Sequence, residues 1–181
     1  PNPTDLPPEI SGDFLLAYQS RWGWILIGDK KPNYYGIPTA LIIDLGGNDT
    51  YTLPYPSFSP SQPTLGLIID FDGNDHYISH ALGGFAGALG GLRLLIDLKG
   101  NDLYQGTRLS QGAAFCGIGI LWDQRGNDTY LAQELAQGAG IFGFAALLDQ
   151  QGNDLFSATQ FAQGFGGTKA LGLLIDAKGN D

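Results

Sequence analysis

The sequence has a single cysteine, Cys116, and no methionine among its 181 residues. One cysteine cannot form an intramolecular disulfide, so the cysteine content leaves the redox compartment open. Only 15% of the residues are charged while 43% are hydrophobic, a balance that excludes an intrinsically disordered chain. Because methionine is missing even at position 1, we expect a processed or excised piece of a longer protein.

Long hydrophobic runs are also missing. The longest charge-free run of small and apolar residues, 81–92, is shorter than the roughly 20 residues that a membrane-spanning helix needs, so we expect no membrane insertion. The net charge of −9 would repel phosphates, which argues against a nucleic-acid partner. Glycine is abundant, with 28 residues, but it does not recur at every third position, which excludes collagen.

One motif, hydrophobic-Asp-x-x-Gly-Asn-Asp, occurs six times at intervals of 26 or 27 residues. We call its first aspartate the leading aspartate and its last the second aspartate. An aromatic residue stands two positions after the second aspartate in five copies, at Tyr51, Tyr77, Tyr104, Tyr130 and Phe156. A Gln-Gly pair follows in three copies, beginning at Gln111, Gln137 and Gln163. The spacing identifies a repeat protein.

Each copy has the composition of one solenoid coil. A short apolar run before the leading aspartate predicts a strand, and Asp-x-x-Gly-Asn-Asp has turn chemistry. The aromatic residue suits a second strand, and the glycine-rich Gln-Gly stretch predicts a third side with tight corners. Coils of this length bury a common interior only by stacking. We therefore predict an all-β fold, a parallel β-solenoid (β-helix) of about six coils of 26–27 residues.

The two ends of the chain differ from its middle. Apolar runs at 14–18 and 22–27 predict a β-hairpin within an N-terminal cap over residues 1–40, followed by the repeat solenoid over 41–181, in a single domain overall. Residues 29–35 resemble a decayed copy of the motif. Four prolines between 52 and 64 predict a loop in place of strands. The last copy carries no cap, so we expect further chain or a partner to cover it.

Twelve of the 18 acidic residues are the leading and second aspartates of the six copies. Stacking at about 4.8 Å would align them in two rows, where neighbouring carboxylates repel by about 3 kcal/mol at an effective dielectric constant of 20. Calcium between coils would relieve this repulsion, because it bonds oxygen at about 2.3–2.6 Å. Alternatively, each aspartate bonds backbone N–H groups and the asparagines form a metal-free ladder. Magnesium fits less well because it prefers strict octahedral geometry with retained water. Zinc fits less well because the only histidines, His76 and His80, share one copy and lack a cysteine partner.

The candidate metal ligands are the leading aspartate, the asparagine and the second aspartate of each copy. They are Asp44, Asn48, Asp49, Asp70, Asn74, Asp75, Asp97, Asn101, Asp102, Asp123, Asn127, Asp128, Asp149, Asn153, Asp154, Asp176, Asn180 and Asp181.

The Gly-Asn-Asp-x-aromatic segments, such as residues 46–51, resemble the Gly-Gly-x-Gly-x-Asp-x-hydrophobic repeats of RTX calcium-binding proteins. The longer period is more similar to the β-solenoid repeats of bacterial RTX adhesins than to the short nonapeptide roll. The resemblance implies a secreted or cell-surface bacterial protein, calcium-induced folding and calcium ligation by the second aspartates. This sequence departs from the short roll in having one motif per 26 residues and an additional upstream aspartate.

Three further columns are expected from stacking. We expect the glutamines to form an internal amide ladder and the aromatic residues to pack inward. Strand alternation is expected to leave the residue two positions before each leading aspartate facing outward. An aliphatic stripe on the surface would mark self-association or a protein partner. Its members are Ile42, Ile68, Leu95, Leu121, Leu147 and Leu174.

The sequence contains no recognisable catalytic motif. Arg93, Arg108 and Arg125 interrupt the repeat without forming a triad with a base, so we expect no catalysis in this fragment. The hypothesis is a calcium-stabilised structural or adhesive module. The alternative is a β-helix that binds or cleaves carbohydrate.

Overall fold

The computed structural model describes residues 6–53, 65–80 and 82–181, so most of the loop predicted at 52–64 lies outside the described residues. The described residues form strands and no helix, as predicted. The strands are β1 (Ile10–Ser11), β2 (Phe14–Ser20), β3 (Gly23–Gly28), β4 (Tyr34–Tyr35), β5 (Thr39–Asp44), β6 (Thr50–Leu53), β7 (Leu65–Asp70), β8 (His76–Ser79), β9 (Ala88–Asp97), β10 (Leu103–Gln105), β11 (Ala114–Asp123), β12 (Thr129–Leu131), β13 (Gly140–Ile141), β14 (Phe144–Asp149), β15 (Leu155–Ser157) and β16 (Leu171–Asp176). None of the described residues forms a helix long and apolar enough to span a bilayer.

The strands form two sheets that run along the stack. In the nine-stranded sheet the order is β16-β14-β11-β9-β7-β5-β3-β2, with β13 beside β11; we call it the aspartate sheet because six of its strands end at a leading aspartate. The seven-stranded sheet, in the order β1-β4-β6-β8-β10-β12-β15, is the tyrosine sheet. From β3 to β16 and from β4 to β15 neighbouring strands are parallel and come from successive copies, in the register Asp44↔Asp70↔Asp97, while β1 pairs with β4 in the antiparallel sense. The chain therefore winds into the predicted parallel β-solenoid, with about five turns.

The N-terminal region joins the stack differently. Strands β2 and β3 pair as an antiparallel hairpin, and β3 then pairs in parallel with β5. Residues 29–35 behave as a partial copy of the motif, because Tyr35 is in register with Tyr51 and the Asn33 N–H donates to Asp49 Oδ1 at 2.6 Å. Gly28 follows Ile27, which pairs with Ile43, so glycine takes the register position of a leading aspartate. This first coil therefore carries neither motif carboxylate.

In the described residues from Arg108 to Gly166, the third side of the coils is held by isolated bridges, such as Arg108↔Glu134, rather than by a sheet. Its corner is tight because Gln111 and Gly112 both have positive φ, 56° and 75°. A Cβ on Gly112 would overlap the Ala146 carbonyl oxygen of the aspartate sheet, so only glycine fits there. The third strand expected from the sequence is thus reduced to a corner whose backbone approaches the sheet closely.

The predicted glutamine ladder takes another form. Gln111 Nε2 donates to the carbonyl oxygens of Tyr104 and Leu131, at 2.8 and 2.9 Å, and Gln137 repeats the pattern with Tyr130 and Ser157. Each amide therefore bridges the backbone of two coils instead of pairing with the amide of another glutamine. Gln163, in the last coil, is exposed and keeps one such bond, to Phe156 at 3.5 Å.

The aromatic column packs inward, as predicted. Tyr51, Tyr77 and Tyr130 have no exposed surface, and Tyr104 is 1% exposed. Adjacent rings stack nearly parallel from Tyr35 to Phe156, with centroids 4.5–4.8 Å apart. This spacing repeats that of the strands, so one column of rings fills the interior beneath the tyrosine sheet.

The aliphatic stripe expected at the surface lies in the interior instead. Ile42, Leu95, Leu121 and Leu147 are at most 2% exposed, Ile68 packs against the core, and Leu174 is half-buried in the last coil. The predicted orientation was wrong because the leading aspartate itself faces inward. A residue two positions earlier in a strand shares that face, since side chains alternate with a period of two.

The motif glycine is a packing requirement. A Cβ on Gly100 would overlap the Gly73 carbonyl oxygen and both carboxylate oxygens of Asp102. We expect Gly100→Ala to lower the unfolding free energy by about 1–3 kcal/mol, as overpacking does. Gly166→Ala is the control, because a Cβ there meets its nearest atom at 3.5 Å. Urea unfolding of both variants would contradict this account if their losses of stability were equal.

Candidate metal centre

The leading aspartate is oriented by two donors. From Asp44 to Asp123 its Oδ1 accepts the N–H two residues ahead, as in the 3.0 Å bond from Arg125 to Asp123, whereas the Oδ1 of Asp149 has no hydrogen-bond partner. Its Oδ2 accepts a tyrosine hydroxyl of the preceding coil: Tyr77 bonds Asp97 at 2.8 Å, and Tyr104 bonds Asp123 at 2.7 Å. Both bonds turn the carboxylate into the interior, and Asp70, Asp97 and Asp123 have no exposed surface.

This tyrosine–aspartate bond is a functional feature that the sequence reasoning missed. The aromatic column was interpreted as apolar packing because Phe156 replaces tyrosine in one copy. The signal was the near-uniform choice of tyrosine, at 35, 51, 77, 104 and 130. A buried tyrosine hydroxyl usually has a hydrogen-bond partner, and a buried carboxylate needs donors, so the two columns satisfy each other.

The second aspartate has one oxygen bonded and one free. Its Oδ1 accepts the backbone N–H of the preceding second aspartate, as when Asp75 donates to Asp102 at 2.6 Å. Oδ2 is buried and has no hydrogen-bond partner in five successive copies, Asp49, Asp75, Asp102, Asp128 and Asp154. An unmade bond at a buried carboxylate is costly, so a row of five indicates a missing ligand, either a cation or a proton.

The two kinds of aspartate meet in clusters of three. Four clusters combine both aspartates of one copy with the leading aspartate of the next, and the fifth joins Asp154 with both aspartates of the last copy. In each, three carboxylate oxygens lie within 4.8 Å of one another. Every motif aspartate belongs to at least one cluster. The clusters are Asp44–Asp49–Asp70, Asp70–Asp75–Asp97, Asp97–Asp102–Asp123, Asp123–Asp128–Asp149 and Asp154–Asp176–Asp181.

Nearby basic side chains pair with other acids. Lys99 Nζ lies 2.8 Å from Asp72, and Lys31 Nζ lies 2.6 Å from Asp13, both at the surface. Arg108 pairs with Glu134 on the third side. These ion pairs hold Lys99, Lys31 and Arg108 on acids that do not belong to the clusters.

The electrostatic environment opposes ionisation of the carboxyl groups. Burial, followed by the charge of Asp70, raises the pKa of Asp75 to about 9. Burial, followed by the charge of Asp97, raises the pKa of Asp102 to about 10. The pKa of Asp97 rises to about 7, for burial and the charge of Asp123. Without a cation, the clusters therefore retain protons that exposed aspartates lose near pH 4.

The asparagines lie outside the clusters. All six are exposed, and each Oδ1 from Asn48 to Asn153 accepts the backbone N–H of the next asparagine at 2.8–3.1 Å. The ladder expected in the metal-free alternative is therefore present at the surface, alongside the buried carboxylate clusters. The aspartates of the candidate ligand set are brought together, whereas the asparagine oxygens are already used.

The three arginines that interrupt the repeat do not converge on the clusters. Arg93 is in β9, Arg108 is on the third side and Arg125 is in a turn. His76 and His80 are exposed. The arrangement consists of enclosed carboxylates with oxygen as the only donor atom, which suits a hard cation.

The tyrosine hydroxyls give a matched pair of substitutions. Tyr104→Phe leaves Asp123 Oδ2 without its donor, so we expect a loss of about 1–3 kcal/mol in unfolding free energy. The natural Phe156 leaves Asp176 Oδ2 unpartnered, so Phe156→Tyr should increase stability, by less because Asp176 is half-exposed. Equal stability of Tyr104→Phe and the unmodified chain in urea unfolding would contradict the proposed role of the hydroxyl.

The raised pKa values predict how stability depends on pH in the presence of a chelator. Carboxyl groups with a folded pKa above the unfolded value stabilise the fold when protonated, and this contribution disappears as pH rises through the folded pKa. With the pKa at about 7 for Asp49 and about 9 for Asp75, unfolding free energy should fall steadily from about pH 5 to pH 9. Urea unfolding in EGTA measures this, and a constant or rising value over that range would contradict it.

Comparison of the chain with protein families, with curated proteins and with solved structures gives no match. The resemblance to RTX repeats is therefore carried by the turn motifs alone. What the chain does has to be inferred from the geometry of the aspartate clusters.

Proposed function

We propose that this chain is a calcium-stabilised structural and adhesive β-solenoid module of a secreted or cell-surface protein, with calcium ions bound between its coils. The observation that carries the proposal is the row of buried Oδ2 atoms without a partner on the second aspartates. Each of these five aspartates belongs to a different cluster of three carboxylates, so one ion per cluster would give each of them a ligand.

Charge balance supports divalent ions. Twelve motif carboxylates carry twelve negative charges, and one divalent ion in each of the five clusters supplies ten positive charges. Uncompensated buried charge costs several kcal/mol per ion, so near-complete neutralisation is what a stable interior requires. Apart from the twelve leading and second aspartates, the chain has six acidic and nine basic residues. The net charge of −9 thus comes from the interior clusters rather than from the surface.

The donor atoms favour calcium among divalent ions. The clusters offer carboxylate oxygens, without nitrogen or sulfur, which disfavours zinc. Magnesium holds several waters in strict octahedral geometry, whereas the four clusters from Asp44 to Asp149 consist of buried residues. Calcium accepts irregular oxygen cages and binds extracellular modules at about 10⁻⁴–10⁻³ M, which agrees with the secreted location implied by the RTX resemblance.

A structural role follows from where the ions would bind. The clusters lie inside the stack, at the ends of the strands of the aspartate sheet, so bound ions would join adjacent coils. The four clusters from Asp44 to Asp149 consist of buried residues, which suits ions that hold coils together better than ions that meet a substrate. The outer surfaces remain available for adhesion.

Carbohydrate binding is a second candidate, supported by one surface feature. A shallow groove runs along the exposed asparagine ladder and is lined by Lys30, Asn74, Lys99, Asn101, Arg125 and Asn127. The amides of Asn127 and Asn153 each donate one N–H to the preceding asparagine oxygen, which leaves a second N–H group on each amide as a donor at the spacing of the coils. Titration with acidic oligosaccharides monitored by calorimetry tests this candidate, and absence of binding would remove it.

Calcium-dependent melting tests the principal proposal. An ion present at one hundred times its Kd stabilises by about 2.7 kcal/mol, so five sites should raise the melting temperature strongly over that in EGTA. Asp102→Asn removes one ligand of a central cluster, so it should reduce the rise in melting temperature that calcium produces. In EGTA at neutral pH the same substitution should cost little stability, because the amide is neutral. Asp72→Asn is the control, because Asp72 is exposed and pairs with Lys99.

Two results would contradict the proposal. One is a melting temperature that is equal in calcium and in EGTA. The other is a calcium-induced rise in melting temperature that Asp102→Asn leaves unchanged, or that Asp72→Asn reduces as much as Asp102→Asn does.

A further inference from the structure

The outer face of the aspartate sheet is apolar from β7 to β16. Since leading aspartates face inward, the residues one, three and five positions before them face outward. The column five positions before is aligned by the strand register and consists of Leu65, Leu92, Ile118, Phe144 and Leu171. Leu65, Ile118 and Leu171 are 50%, 43% and 51% exposed. This side of the sheet is therefore solvent-facing in the described part of the chain.

The two other outward columns have the same character. Leu67, Leu94 and Ile120 are in register in the column three positions before the aspartate, and Ile69, Ile96 and Trp122 in the column one position before. These side chains are half-buried because strands on both sides shield them, whereas the inward Leu95 and Leu121 are fully buried. From β7 to β16 the three columns contain no charged or polar residue.

The self-association expected from the sequence thus has a different surface available. The stripe that the sequence predicted lies in the core. The three columns at the alternate positions of the same strands form the outer face instead. Six strands at about 4.8 Å and five residues at about 3.3 Å give a face of roughly 29 by 17 Å, close to 500 Å². A patch of this size is at the upper end of the largest apolar patches on typical monomers, about 300–600 Å², and such patches often mark an interaction surface.

We propose that this face, the outward columns of β5, β7, β9, β11, β14 and β16, packs against the same face of a second copy of the chain. Two such faces cover about 1,000 Å², the lower limit of a specific interface, and the corrugation of the side chains adds to it. A second copy provides a surface of matching size, flatness and lack of charge. Sheets pack face to face about 10 Å apart, and twofold dimers use one self-complementary patch, with more apolar interfaces than transient complexes.

The experiment is sedimentation velocity and light scattering of the chain with calcium present, over a wide range of concentration. The unmodified chain should sediment as a dimer. Leu94→Lys combined with Ile120→Lys places two opposed pairs of charges at the centre of the interface and should give a monomer. Leu155→Lys is the matched control, because Leu155 is 56% exposed but belongs to the tyrosine sheet, and it should remain a dimer.

A milder pair keeps the test decisive if the lysine variant fails to fold. Leu94→Thr with Ile120→Thr retains β-forming residues and should weaken the dimer by about tenfold or more, with an unchanged far-ultraviolet spectrum. A monomeric unmodified chain at every concentration would overturn the proposal. So would a dimer whose Kd is unaffected by the folded Thr variant. Neither result bears on calcium binding, which melting measures independently.

Discussion

Parallel in-register stacking is the constraint on which the rest of the structure depends. Because each strand lies beside the equivalent strand of the next copy, every side chain is repeated at about the strand spacing. The repetition favours stacked rings and apolar columns, as from Tyr35 to Phe156. For carboxylates it is unfavourable, since it gathers like charges within 4.8 Å inside the protein. The aspartate clusters are thus a direct cost of the architecture.

The chain meets part of that cost with its own donors. Tyrosine hydroxyls and backbone N–H groups occupy one or both oxygens of each buried aspartate, as at Asp97 and Asp102. The oxygen left over on the second aspartate is the same in each of five copies, so it follows from the design of the repeat and not from one local irregularity. A cation shared within each cluster would bind this free oxygen and join adjacent coils.

Much of this arrangement could be predicted from the sequence. The constant interval of 26 or 27 residues implied stacked coils, and stacking implied aligned aspartates and an inward aromatic column. Which alternate side chains of the aspartate-sheet strands face inward could not be predicted. Nearly all positions before the leading aspartate are apolar, and alternation gives no signal when both faces are apolar. The side was decided by Tyr77 and its equivalents, whose hydroxyls draw the aspartates inward. The bridging role of Gln111 could not be predicted either, because it depends on the positions of backbone carbonyl groups in two coils.

The most direct measurement is the number of calcium ions bound per chain, obtained by equilibrium dialysis with elemental analysis at neutral pH. The account predicts about one ion for each of the five clusters, with a lower number when a second aspartate such as Asp102 is replaced. A fully folded chain that retains no calcium under these conditions would contradict it, and would leave protons as the ligands of the buried carboxylates.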